Sequence, residues 1–215
     1  MKNEKVLTEE EKAYLEMVLK DHNRKLNNFS VLNKIVAKNE VVIAGDSITE
    51  GFPIRDIIHD KGVIYNRGIS GFKAYQLEEK LDVVVFNIDP KKVFYLIGTN
   101  DIADGCSIEE VFQSIKHILD QTIEHLPNTE IFVCGILPIN EKIKFSEGVY
   151  IRKNKTIIAV NEKVKTYVEG SNFTYIDTFN WMSDGLGLKE TYTYDGLHLN
   201  ADGYVQLSKI LRKYL

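Results

Sequence analysis

An α/β protein, its parallel sheet covered by helices on both faces, is the fold class the sequence predicts. Two observations lead there. Five short apolar runs recur along the 215 residues, with amphipathic stretches between them. Those runs are almost continuously apolar rather than alternating, as parallel strands buried on both sides must be. Taken in order, Thr8 followed by Glu11 carries the signature of a capping box. Behind it Leu15, Val18, Leu19, His22 and Leu26 fall on one helical face. A second short helix is expected over 31–37, so that 8–38 forms a helical extension ahead of the alternating region. Strands are expected at 41–44 (VVIA), 63–66 (VIYN), 93–98 (VFYLIG), 131–137 (IFVCGIL) and 173–177 (FTYID). Residues 108–126 and 151–168 read as helices, and 201–214 closes the chain with Asn200 as its N-cap. Nothing demands a second core, so one domain over 1–215 is expected.

Composition excludes several function classes. A hydrophobic content of 44% and a charged content of 27% describe an ordinary globular chain. The formal net charge of −4 and the lack of any Lys/Arg block argue against a nucleic-acid partner. The opening MKNEKVLTEEEKAYLEMVLK has no continuous apolar core, so neither a signal peptide nor a membrane span is expected. Cys106 and Cys134 form no CxxC pattern; a reducing, cytoplasmic setting fits best, with both expected as small buried or semi-exposed thiols. His22, His59, His117 and His125 show no metal-ligand spacing; His117 and His125 are expected on the solvated side of the 108–126 helix. Gly45 to Gly51 lacks the Gly-Lys-Ser/Thr of a phosphate loop, and no GxGxxG follows a strand. No cofactor and no metal are expected.

In parallel sheets, ligands gather at the carboxyl ends of the strands, so the polar residues after each run carry the chemistry. The first run ends in GDSITEG, 45–51, and the second in NRGISG, 66–71. The third ends in GTND, 98–101, and YDGLHLNADGY, 194–204, leads into the last helix. A serine nucleophile needs a base, the base needs an orienting group, and a developing oxyanion needs donors. Asp195 and His198, three apart, can provide base and orienter for Ser47, or they can be a surface pair. Asn100 can donate a side-chain amide to an oxyanion, or be a turn or cap residue. Gly71 can bring a backbone N–H close to a substrate oxygen, or be a plain turn glycine. Asp46 is expected to fasten the turn through local hydrogen bonds. Trp181, Tyr192 and Tyr194 can line a pocket or serve packing.

Together, GDSITEG, NRGISG, IGTND and DGLHLN resemble, in order and spacing, the four blocks of the SGNH hydrolases, also called GDSL esterases and lipases. The resemblance spans roughly 41–215 and is greatest to the platelet-activating-factor acetylhydrolase-like branch. It implies a three-layer α/β/α sandwich, flavodoxin-like, with a five-stranded parallel sheet of order 2-1-3-4-5. Carried over by position, it implies Ser47 as nucleophile, His198 as base and Asp195 as its orienting partner. It also implies an oxyanion hole made by the Ser47 and Gly71 N–H groups and the Asn100 amide. Two departures stand out. Phe72-Lys73 come after Gly71 where many members have Asp-Thr, which bears on the substrate edge. Leu199 comes after His198 where many have proline.

The activity so implied is a serine esterase that cleaves short acyl esters of a lipid, sugar or other small alcohol through an acyl-serine intermediate. A carbohydrate O-acetylesterase is the nearest alternative. A non-catalytic, flavodoxin-like module that binds a small ligand is the alternative of another class. The segment 139–149, INEKIKFSEGV, lies after the fourth strand at the same edge and can shape substrate preference or be a plain solvated loop. A small-molecule ester is the expected partner, and a homodimer is compatible with this reading.

Overall fold

The computed structural model describes residues 8–215. Helix α1 (Glu9–Leu32) opens on the expected capping box. Thr8 Oγ1 accepts from the Glu11 N–H at 3.1 Å, and Glu11 Oε2 accepts from the Thr8 N–H at 2.8 Å. A separate helix over 31–37 does not form. Instead α1 continues through Leu32, and residues 33–36 are turn and bend. Asn27, Asn28 and Ser30 are turn formers, but Leu26 and Phe29 pack against the core and carry the helix across them. Along the expected apolar face His22 is buried, whereas Leu15 and Leu19 are 43% and 53% exposed. No helix among the described residues is long and apolar enough to cross a membrane.

The sheet comprises β1 (Val41–Gly45), β2 (Ile64–Gly68), β3 (Lys92–Leu96), β4 (Glu130–Cys134) and β5 (Phe173–Ile176). Its strands are all parallel, in the order β2-β1-β3-β4-β5 that the resemblance implies. The third and fourth strands stop short of the expected 98 and 137. Their ladders end where the neighbouring strands end, Leu96 opposite Gly45 and Cys134 opposite Ile176. Residues 135–137 stay buried without belonging to a strand, which is why their apolar character misleads.

Side chains along each strand divide between two cores. Val42 and Ala44 of β1, Val93 and Tyr95 of β3, and Ile131 and Val133 of β4 face one side. There they meet α4 (Ala74–Glu78), α5 (Leu81–Val84), α7 (Ile108–His125) and α9 (Asn154–Val168). Val41, Ile43, Phe94, Leu96, Phe132 and Cys134 face the other. These meet α2 (Ser47–Glu50), residues of and after α3 (Ile54–Ile57), α10 (Thr178–Met182) and α11 (Ala201–Leu211). The short helices α6 (Thr99–Ala103) and α8 (Ser146–Val149) come after β3 and β4. Three layers result, each sheet face covered.

The strand order also brings the polar blocks together. Gly45 lies in register with Gly68 on one side and Leu96 on the other. The segments after β1, β2 and β3 therefore leave the sheet at one level, with the β1 exit between the other two.

Candidate active site

Ser47 stands two residues beyond β1, at the first position of α2. Asp46 caps that helix: its Oδ1 accepts from the Ile48 N–H at 3.0 Å, and burial pushes its carboxyl up to about 7. Only a glycine fits at Gly45, where a Cβ would run into the Leu96 carbonyl oxygen of β3. From α11, the Tyr204 hydroxyl donates to Ile48 O at 3.0 Å, tying the last helix to the turn.

Asp195 and His198 lie in the loop that precedes α11, closed by a bridge between Thr193 and Leu199. Thr193 Oγ1 donates to His198 O at 2.6 Å and accepts from the Gly196 N–H at 2.9 Å. Asp195 Oδ1 accepts from the backbone N–H groups of Leu197 (3.0 Å) and His198 (2.7 Å). Its other oxygen, Oδ2, is 2.6 Å from His198 Nδ1. Burial raises the Asp195 carboxyl, but the hydrogen bonds from the His198 ring and the two N–H groups outweigh it and hold the group below its ordinary value. A carboxylate there requires the hydrogen on Nδ1, which leaves the Nε2 lone pair facing outward in the neutral ring. Ser47 Oγ is 2.9 Å from that Nε2. The three side chains form one hydrogen-bonded line, and the His198 and Asp195 side chains are 31% and 28% exposed.

Gly71 lies at φ +77°, the left-handed region that favours glycine. Among the described residues, neither the Gly71 nor the Ser47 backbone N–H has a partner. Asn100, at the start of α6, donates through Nδ2 to Phe72 O at 3.0 Å, which sets it beside the Gly71 loop. Asp101 fastens the same junction, both carboxylate oxygens accepting from the Ala74 N–H at 3.0 and 2.9 Å. All five residues singled out from the sequence thus gather at one edge. The arrangement can polarise the Ser47 hydroxyl, and hydrogen-bond donors stand at the same edge of the sheet.

Three further residues, with no role expected from the sequence, organise this edge. Arg152, buried ahead of α9, donates to Asn100 Oδ1 at 2.9 Å and to Thr99 O at 3.0 Å. Glu50, in α2, accepts from both the Ser70 N–H (2.6 Å) and Ser70 Oγ (2.7 Å) and pairs with Lys25 of α1. His22 of α1 bonds Ser70 O at 2.9 Å. The conspicuous signals were His22 on an apolar face and Glu50 inside the serine motif. Arg152 has no sequence signal at all.

The segment 139–149 borders the histidine loop. The Asn140 N–H donates to Gly196 O at 2.8 Å, and Phe145 lies against Gly196. Of the aromatic trio only Tyr194 adjoins the site, its ring parallel to that of His198 at 6.0 Å. Tyr192 packs on the core, and Trp181 lies exposed beneath Lys213. Burial pushes the Cys134 thiol up to about 12, and Cys106 is raised by the same cause. Among the described residues no cluster of three or more His, Cys, Asp or Glu side chains is arranged to hold a metal.

A doubly covered parallel sheet thus carries a hydrogen-bonded serine, histidine and aspartate at its carboxyl edge, in an α/β/α sandwich. The chain belongs to the GDSL-like lipase/acylhydrolase family, whose model matches residues 43–206. It is similar to a Streptococcus pneumonia protein provisionally described as a platelet activating factor. The two share 32% identity over 94% of this chain and 96% of that one, with a TM-score of 0.89. Platelet-activating factor acetylhydrolase IB subunit alpha1 of Bos taurus is 28% identical over 82% of this chain and 75% of its own length. N-acylneuraminate cytidylyltransferase of Escherichia coli is 25% identical over 81% of this chain, which spans 40% of that relative's length.

Proposed function

We propose that the protein is a serine esterase that hydrolyses short-acyl carboxylic esters through an acyl-serine intermediate. The single observation that carries this reading is the line Ser47 Oγ, His198, Asp195, with contacts of 2.9 and 2.6 Å. Ser47 Oγ attacks the ester carbonyl while His198 Nε2 takes its proton. Asp195 stabilises the imidazolium so formed. The oxyanion is held by the N–H groups of Ser47 and Gly71 and by the second amide hydrogen of Asn100. His198 then protonates the leaving alcohol, activates a water for deacylation, and returns the proton to Ser47. Family membership supports hydrolysis, and the acetyl group in the bovine relative's name supports a short acyl chain.

The wild-type protein should turn over p-nitrophenyl acetate, and Ser47→Ala should abolish that turnover while remaining folded. A fluorophosphonate should label Ser47 and no other serine, as read by peptide mass spectrometry. Chelators should leave the rate unchanged. A folded protein that neither hydrolyses activated esters nor takes up the label would point to a ligand-binding module.

A further inference from the structure

Helix α1 precedes the matched segment 43–206, yet it reaches the heart of the proposed site. His22 is 5% exposed, and its Nε2 sits 2.9 Å from the carbonyl oxygen of Ser70. A carbonyl only accepts, so Nε2 carries the hydrogen and donates. Nδ1, the other ring nitrogen, is buried without a partner among the described residues. The ring stands edge-on to Phe72, with 5.1 Å between centroids, so its orientation is set by packing as well.

The carbonyl that His22 holds and the Gly71 N–H belong to the same planar peptide unit. Fixing the oxygen fixes the direction of the hydrogen on the other side. A donor on the carbonyl also draws charge through the amide and strengthens the N–H as a donor in turn. The restraint matters because glycine at φ +77° is free to sample negative φ as well, which would turn the N–H away. The peptide on the other side of Ser70 is held through α1 too. Its N–H donates to Glu50, and Glu50 is paired with Lys25.

We infer that His22 is a positioning residue for the oxyanion donor at Gly71, and that α1 is thereby a working part of the active site. The inference rests on the esterase reading of Ser47, His198 and Asp195. His22 touches no substrate; it acts through the Ser70–Gly71 peptide.

The test compares His22→Leu, which keeps bulk and loses the donor, with His22→Gln, which restores an N–H. With p-nitrophenyl acetate, His22→Leu should lower kcat about tenfold, less than the 10²–10³ expected for outright loss of a donor. KM should stay within about twofold, because the oxyanion bears full charge only in the transition state. His22→Gln should recover most of the loss. The Gly71 amide resonance should shift in the Leu variant and return towards the wild-type position in the Gln variant. If His22→Leu does not fold, His22→Met is read in the same way. A folded donor-less variant with wild-type kcat overturns the inference, and so does a loss that Gln does not rescue with the Gly71 resonance unmoved. An inactive wild type would instead overturn the esterase reading, and the Gly71 resonance would still decide whether His22 controls that peptide.

Discussion

Asn100 has one amide hydrogen committed to Phe72 O at 3.0 Å and its oxygen committed to the Arg152 guanidinium at 2.9 Å. Arginine only donates, so this pair fixes which end of the amide is NH₂ and leaves one hydrogen for an oxyanion. Asn100→Ala should therefore lower kcat by roughly 10²–10³, or about 2.7–4 kcal/mol, with a far smaller change in KM. The same change leaves Phe72 O and Arg152 short of a partner, so about 1–3 kcal/mol of stability should go as well. Rates must be measured well below the melting temperature. A stability loss with near-normal kcat would reduce Asn100 to a turn residue. Arg152→Lys keeps the charge but not the planar fork that spans Thr99 O and Asn100 Oδ1. It should lower kcat while leaving fluorophosphonate labelling of Ser47 measurable; an unchanged kcat would show that the amide holds its orientation unaided.

The segment 139–149 divides at the scale of the element. Ile143 is 91% exposed, whereas Phe145 is half-buried against Gly196 and the core. Lys142 and Lys144 both pair with Glu190, which ties the segment to the turn just ahead of the loop that carries Asp195 and His198. Ile143→Ala should change the ratios of kcat/KM across esters of differing acyl and alcohol groups, with stability altered by no more than about 0.5 kcal/mol. Phe145→Ala should cost about 1–3 kcal/mol, within the range for buried truncations, and lower kcat for all esters alike by loosening the histidine loop. Unchanged ester ratios in Ile143→Ala would leave that tip a solvated loop with no part in selectivity.

For the whole molecule, two buried carboxyls beneath the site contribute to stability against pH. Burial raises Asp46 to about 7 and Asp101 to about 6. In the unfolded chain both titrate near 3.9. A carboxyl raised by folding contributes stability that is fully present below its unfolded value and is lost as pH rises through its folded one. The contribution of Asp46 and Asp101 thus declines between about pH 4 and 7. Asp195 has the opposite sign: its stabilisation is present above its unfolded value and is lost on acidification through its lowered folded one. Asp46→Asn keeps the acceptor for the Ile48 N–H and removes the titration. Melting temperatures from pH 5 to 8 should fall less steeply for that variant than for the wild type. Parallel curves would mean that Asp46 does not titrate across that range.

Much of this was legible in the sequence because it is local. Unbroken apolar runs specify strands buried on both faces, and Thr8, Glu11 and Asn200 mark helix starts through bonds no more than three residues long. The serine, oxyanion and histidine blocks could be read because each is a short run of neighbouring residues, and together they resemble the SGNH hydrolase blocks in order and spacing. Contacts between distant positions could not be read. His22 meets Ser70 across 48 residues, and Arg152 meets Asn100 across 52. The extra turns of α1 escaped for a related reason: Asn27 and Asn28 favour a break locally, and only packing of Leu26 and Phe29 on the core overrides it. The fold class could be reached from apolar period, and the five residues of the proposed site from four blocks that resemble those of the SGNH hydrolases, since both are properties of neighbours along the chain. What holds those residues in place emerged only from the folded molecule, because each restraint is a hydrogen bond to a group whose position depends on the packing of another element.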